Sequence, residues 1–82
     1  MKTITQDTLQ KSLEYIERGD WDNAHRLIQH YSDSASCQIH GYLHRIEGDV
    51  ANAKYWYGRS GSDLPDNSLE AELVRLQSMI SR

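Results

Sequence analysis

The stretch GDWDNA at residues 19–24 recurs as GDVANA at residues 48–53, an internal repeat with an offset of 29 residues. Glycine readily adopts the left-handed backbone conformation that ends a helix, and the aspartate after it can cap the next helix. The small side chains of Ala24 and Ala53 allow two helix backbones to approach closely. The repeat therefore predicts two successive helical hairpins, which turn at Gly19 and Gly48.

Apolar side chains on both sides of these turns recur at three- and four-residue spacing, which is the period of an amphipathic helix. The chain contains one proline, five glycines and no alternating β-branched run, so we predict an all-α fold. We expect a single domain over residues 1–82. It should consist of units at about 5–33 and 35–65, followed by a C-terminal helix at 67–81.

Local signals predict where individual helices begin and end. The first helix should span about residues 5–18, and the second should begin after Asp20 and end near Tyr31. Asn67 and Glu70 have the spacing of a capping box, which predicts the start of the last helix.

Composition and charge narrow the class of protein. Nine basic and twelve acidic residues give a net charge of −3, and without a basic run we expect neither nucleic acid nor an anionic membrane as partner. No apolar run approaches the ~20 residues that cross a bilayer, and the stretch MKTITQDTLQ lacks the apolar segment of a signal peptide. A single cysteine cannot form an internal disulfide. We therefore expect a cytoplasmic protein.

The second unit carries a set of residues at fixed offsets, namely Gly41, Ala53, Tyr57 and Pro65. Their arrangement resembles the tetratricopeptide repeat (TPR), whose pattern has a glycine, a small residue, an aromatic residue and a terminating proline. The segment AKYWYGRSG at 53–61 is similar to the second helix of Sel1-like repeats. The stretch HGYLHRIEGDVANAKYWY also resembles small bacterial proteins of uncharacterised function. The repeat resemblance implies two antiparallel helix pairs and a role in protein interaction.

Histidines stand at two positions where the tetratricopeptide pattern has packing residues. His40 replaces a leucine and His44 a tyrosine, so the resemblance implies that both imidazoles pack against neighbouring helices. His40, His44 and Glu47 share one stripe of the third helix, which His25 on the preceding helix could approach. Such a set can bind a transition metal such as zinc, with the carboxylate completing or orienting it. The alternative is a packing cluster hydrogen-bonded to Glu47 or Tyr15.

Three consecutive aromatic residues, Tyr55, Trp56 and Tyr57, precede Arg59 in the predicted fourth helix. On a helix they cannot all face one core. Tyr55, Trp56 and Arg59 are therefore candidates for binding a partner, and Tyr55 is either exposed to that partner or covered by a neighbouring helix or subunit.

The last helix carries an apolar seam, spaced 4, 3, 4 as in a coiled coil, at Leu69, Leu73, Leu76 and Ile80. A helical-repeat array usually needs about three units to bury its ends, and this chain has two. We therefore expect the seam to hold a homodimer or larger assembly. The alternative is that the helix caps the second hairpin and uses its seam within one chain.

These observations favour a small helical-repeat protein that binds a protein partner or itself and needs no cofactor. The sequence contains no phosphate-binding loop or serine-nucleophile motif, so we assign no catalytic residue and do not expect an enzyme. The alternative is a metal-binding or metal-dependent enzyme that uses His25, His40, His44 and Glu47.

Overall fold

Five helices are formed by residues 4–81, which are the residues that a computed structural model of the chain describes. They are α1 (Gln6–Glu17), α2 (Trp21–Ile28), α3 (Ser34–Ile46), α4 (Val50–Arg59) and α5 (Leu69–Ile80). The all-α prediction is confirmed over this part of the chain, whereas residues 1–3 and 82 of the predicted domain lie outside it. None of the five helices is long and apolar enough to cross a bilayer.

The two turns of the internal repeat have the same backbone structure. Gly19 and Gly48 have positive φ angles of 75° and 82°. The next residue in each case, Asp20 or Asp49, donates its backbone N–H back to the preceding helix at 2.8 and 2.9 Å. Each aspartate side chain then accepts a backbone N–H from the first turn of the following helix at 3.2 Å. The predicted glycine stop and aspartate cap are therefore confirmed at both turns.

Two predicted helix ends differ from the structure. α2 ends at Ile28 rather than near Tyr31, because the backbone N–H of Tyr31 turns back to the carbonyl of Ile28 at 3.1 Å. α5 is capped by Ser68, which accepts the backbone N–H of Ala71 at 3.0 Å, so the capping box predicted at Asn67 is wrong. The side chain of Asn67 takes part in a buried network instead.

α3 is the central helix and contacts all four others. The most extensive contacts join α3 to α4 and α1 to α2, which are the consecutive pairs that the repeat predicts. Ala24 and Ala53 are both completely buried. Gly41 of α3 lies so close to α4 that a Cβ atom there would be 2.6 Å from Cδ2 of Tyr57. Small residues thus permit the close packing of α3 and α4.

A buried polar network joins α5 to α3 and α4. Glu72 is completely buried, and its carboxylate accepts hydrogen bonds from the Tyr57 hydroxyl at 2.8 Å and the Asn67 amide at 3.0 Å. Nε and Nη2 of Arg75 donate to the same carboxylate at 2.8 Å each. Nη2 of Arg75 also donates to Gln38 of α3 at 2.6 Å. Because its oxygens accept four donors, Glu72 is anchored as a structural group.

The apolar seam of α5 packs within the chain. Leu76 and Ile80 are buried in the core, and Leu69 and Leu73 pack against it with partial exposure. α5 contacts α1 and α3, while Val74 is 60% exposed. The seam is thus used inside one chain, as the capping alternative describes, and assembly through α5 stays a prediction.

Candidate functional site

Three histidines meet where α2 packs against α3, and we refer to His25, His40 and His44 as the histidine cluster. His40 and His44 lie one turn apart on α3 and are only 4% and 6% exposed. His25 is half-buried on α2. The predicted burial of the two α3 histidines, with His25 beside them, is therefore confirmed.

The ring nitrogens of the cluster converge on one point. Nε2 of His25 lies 3.1 Å from Nε2 of His40. One nitrogen from each of the three imidazoles can be chosen so that all three lie within 4.8 Å of one another. Such an arrangement can share a proton or hold a metal ion.

Two tryptophans stack against the cluster. The Trp21 indole lies parallel to His25, with ring centroids 4.7 Å apart, and its N–H donates to the carbonyl of Leu43 at 2.7 Å. The Trp56 indole lies on His40 at 3.8 Å, with an angle of 11° between the planes. The sequence predicts Trp56 as a partner contact but does not predict its stacking on His40, because spacing within a helix carries no information about contacts between helices.

Glu47 lies at the edge of the cluster. Its Oε1 is 2.5 Å from Nδ1 of His44, so the hydrogen bond expected for a packing cluster is present. Tyr15 makes no side-chain hydrogen bond to the cluster within residues 4–81. A proton on Nδ1 of His44 leaves its Nε2 lone pair free, which is the usual effect of such a carboxylate. Glu47, His44 and Asp49 form a second, more exposed group with donor atoms within 4.8 Å.

Burial favours the neutral form of two of the imidazoles. Desolvation, followed by the positive charges of protonated His25, His44 and Arg59, lowers the pKa of His40 to about 3. Desolvation and His44 also lower the pKa of His25, although Glu47 acts in the opposite direction. A neutral imidazole has the free lone pair that binds a metal ion.

Nδ1 of His40 is buried and has no hydrogen-bond partner among the described residues. Unpaired polar atoms are uncommon in protein interiors because a buried atom loses its hydrogen bonds with water and gains none from the protein. His40 therefore has one polar contact, through Nε2 to His25. Packing and hydrogen bonding within the chain leave this imidazole only partly satisfied.

A second surface adjoins the cluster through Trp56, and we refer to Tyr55, Trp56 and Arg59 as the α4 face. Tyr55 is 56% exposed, so no helix within residues 4–81 covers it. Its ring meets the Trp56 ring edge-on at 5.2 Å. Cζ of Arg59 lies 5.1 Å from the Trp56 ring centroid and 5.9 Å from that of Tyr55. Tyr57 points the other way and is completely buried.

Two other residues with reactive side chains, Cys37 and His30, are not part of either surface. Cys37 is completely buried, and desolvation raises the pKa of its thiol, so it is a packing group. His30 is exposed just beyond the end of α2.

Comparison of the chain with protein-family models, curated proteins and solved structures gave no match. The histidine cluster, the α4 face and the helix arrangement are therefore the features that bear on function.

Proposed function

We propose that this protein is a helical-repeat interaction module that binds an acidic segment of a protein partner through the α4 face. One observation carries the proposal: an exposed tyrosine and an arginine lie against a tryptophan on one helix surface. Tryptophan, tyrosine and arginine are the residue types that contribute most to binding energy at protein interfaces.

The charge of Arg59 indicates the chemistry of the partner. The ion pairs found within residues 4–81 are His44 with Glu47 and Arg75 with Glu72, so Arg59 has no ion-pair partner there. A guanidinium held over aromatic rings keeps its N–H groups available for a carboxylate. The chain has a net charge of −3 and so does not attract an acidic segment as a whole. The attraction comes from the positive charge of the α4 face.

The arrangement of helices supports the same function. In this proposal α1–α2 and α3–α4 are two tetratricopeptide-like hairpins, and α5 is their cap. Repeats of this kind present helix surfaces to other proteins, and by analogy the same is proposed for this chain. We place the module in the cytoplasm, which its single, buried and free cysteine supports.

Selection from a random peptide library tests the proposal. We expect the wild-type protein to enrich peptides in which Asp or Glu lies next to an apolar or aromatic residue. Arg59→Glu should weaken binding of the selected peptides by roughly 30-fold, the effect of a hot spot worth about 2 kcal/mol.

Lys54→Glu is the matched control, because Lys54 is also an exposed cation on α4 but lies outside the aromatic stack. This variant should bind the peptides within about threefold of the wild type. Peptides without acidic residues, or equal binding by the Arg59 variant once circular dichroism shows it to be folded, would contradict the proposal.

A further inference from the structure

We propose that His25, His40 and His44 form a binding site for a borderline transition-metal ion of the Zn²⁺ class between α2 and α3. This site goes beyond the proposed partner binding, and its three ligands lie outside the α4 face. The three imidazoles come from two helices and reach one point, with their donor nitrogens within 4.8 Å of one another.

The spacing of the nitrogens fits coordination by imidazole. With Zn–N bonds of about 2.0–2.1 Å, neighbouring donors of a tetrahedral site lie about 3.3 Å apart. Nε2 of His25 and Nε2 of His40 are already 3.1 Å apart. A ring nitrogen of His44 completes the set within 4.8 Å of the other two donors.

Proton positions explain how the ion enters. Two Nε2 atoms at 3.1 Å must share one proton, with one imidazole as donor and the other as acceptor. A metal ion accepts a lone pair from both Nε2 atoms when the donor imidazole carries its proton on Nδ1 instead, so both rings bind as neutral ligands and no proton is released. Coordination thereby replaces the single polar contact of His40, whose Nδ1 is unpartnered within residues 4–81.

Groups around the cluster hold the ligands in orientation. The carboxylate of Glu47 accepts the Nδ1 proton of His44 and so leaves Nε2 free for the ion. Trp21 stacks on His25 and Trp56 stacks on His40, so two ring planes are fixed by neighbours from the same chain. Ligands that are held in place before binding lose less conformational freedom when the ion arrives.

The ligand set also selects the class of ion. Three neutral imidazoles suit Zn²⁺, Ni²⁺ or Cu²⁺, whereas Mg²⁺ and Ca²⁺ prefer oxygen ligands. Three protein ligands leave a fourth tetrahedral position for water or for a side chain of a bound partner.

Calorimetric titration of protein without a histidine tag tests the site. At pH 7.5 we expect Zn²⁺ to bind with a stoichiometry of one and a Kd below ~10 μM, and Mg²⁺ to give no binding heat. Co²⁺ should show the visible absorption of tetrahedral coordination. Absence of Zn²⁺ binding tighter than ~10 μM would overturn the proposal.

Single substitutions locate the ligands. His25→Asn and His44→Asn should each weaken Zn²⁺ binding at least tenfold, whereas His30→Asn, which changes an exposed histidine outside the cluster, should leave it unchanged. Circular dichroism establishes that each variant is folded. Equal binding by the His25 variant and the wild type would rule out this ligand set.

The more exposed group of His44, Glu47 and Asp49 is the competing location. Asp49→Asn keeps a side chain that can cap α4 but removes the carboxylate charge. We expect no loss of Zn²⁺ affinity in this variant. A tenfold loss there, with His25→Asn unaffected, would move the ion to the competing group and contradict the proposal.

Discussion

The hydroxyl of Tyr57 in α4 donates a 2.8 Å hydrogen bond to the carboxylate of Glu72 in α5, and both side chains are completely excluded from solvent. Burial alone would raise the pKa of Glu72, but hydrogen bonds from Arg75, Asn67 and Tyr57 outweigh it and lower that pKa. Burial, assisted by Glu72, raises the pKa of Tyr57. An ionised carboxylate and a neutral phenol thus attach α5 to α4, in addition to the apolar contacts of the seam.

Replacement of this carboxylate should weaken the fold. We expect Glu72→Gln to lower the free energy of unfolding by roughly 1–3 kcal/mol, because an amide leaves buried donors imperfectly paired. Urea denaturation measures the loss. Glu70→Gln, an exposed change on the same helix, should stay within about 0.5 kcal/mol of the wild type. Similar stability of the two variants would show that the network contributes little.

The contact between α3 and α4 predicts opposite effects for two glycine substitutions. Gly41→Ala would place a Cβ atom 2.6 Å from the buried Tyr57 ring, so it should destabilise the protein by about 1–3 kcal/mol despite alanine's higher helix propensity. Gly58→Ala meets no atom within 4 Å and should stabilise by about 0.5–1 kcal/mol. Thermal unfolding measures both, and a Gly41 variant as stable as the wild type would contradict the packing.

The histidine cluster predicts loss of stability in acid. The ordinary histidine pKa is 6.5, and burial lowers that of His40 to about 3 and also lowers that of His25. Below about pH 6.5 the unfolded chain therefore binds protons that the folded chain does not. As the pH is lowered, the free energy of unfolding decreases by about 1.4 kcal/mol per pH unit for each such proton. Urea denaturation of metal-free protein between pH 7.5 and 4.5 measures this slope.

Two variants assign the acid effect to the cluster. His40→Gln should flatten the dependence of stability on pH, because its buried titrating group is removed. His30→Gln should leave the slope unchanged, since His30 is exposed. If the His40 variant kept the full slope of the wild type, other groups would be responsible.

The α5 seam predicts how the chain responds to charge. Leu76→Glu should unfold the protein, because Leu76 is completely buried and an unpaired carboxylate cannot be accommodated there. Val74→Glu should change stability by less than about 0.5 kcal/mol, since Val74 is 60% exposed. Circular dichroism and light scattering distinguish the outcomes. A Leu76 variant that is folded but monomeric, while light scattering shows the wild type as an oligomer, would instead favour assembly through the seam.

The sequence by itself determined the helical class and both repeat turns. Gly19 and Gly48 end their helices, and Asp20 and Asp49 cap the next ones, through contacts that span only a few residues. Such local interactions can be derived from residue type and order alone. The 4,3,4 spacing of α5 likewise identified its apolar seam, but not that this seam packs within one chain.

The burial of Glu72 was decided only by the tertiary structure. Glu72 lies four residues before Leu76, so helical periodicity places it on the buried side, yet a carboxylate ordinarily stays in water. Donors from Tyr57, Asn67 and Arg75 make its burial possible, and Tyr57 is brought to α5 from another helix.

Some features of the histidine cluster likewise follow from the sequence, whereas others depend on the tertiary structure. Spacing placed His40 and His44 on one stripe of α3, but the approach of His25 and the stacking of Trp56 depend on how α2 and α4 lie against α3. Local order determines each helix and its faces. The contacts between side chains of different helices arise when all the apolar faces are buried together, which no single segment can specify.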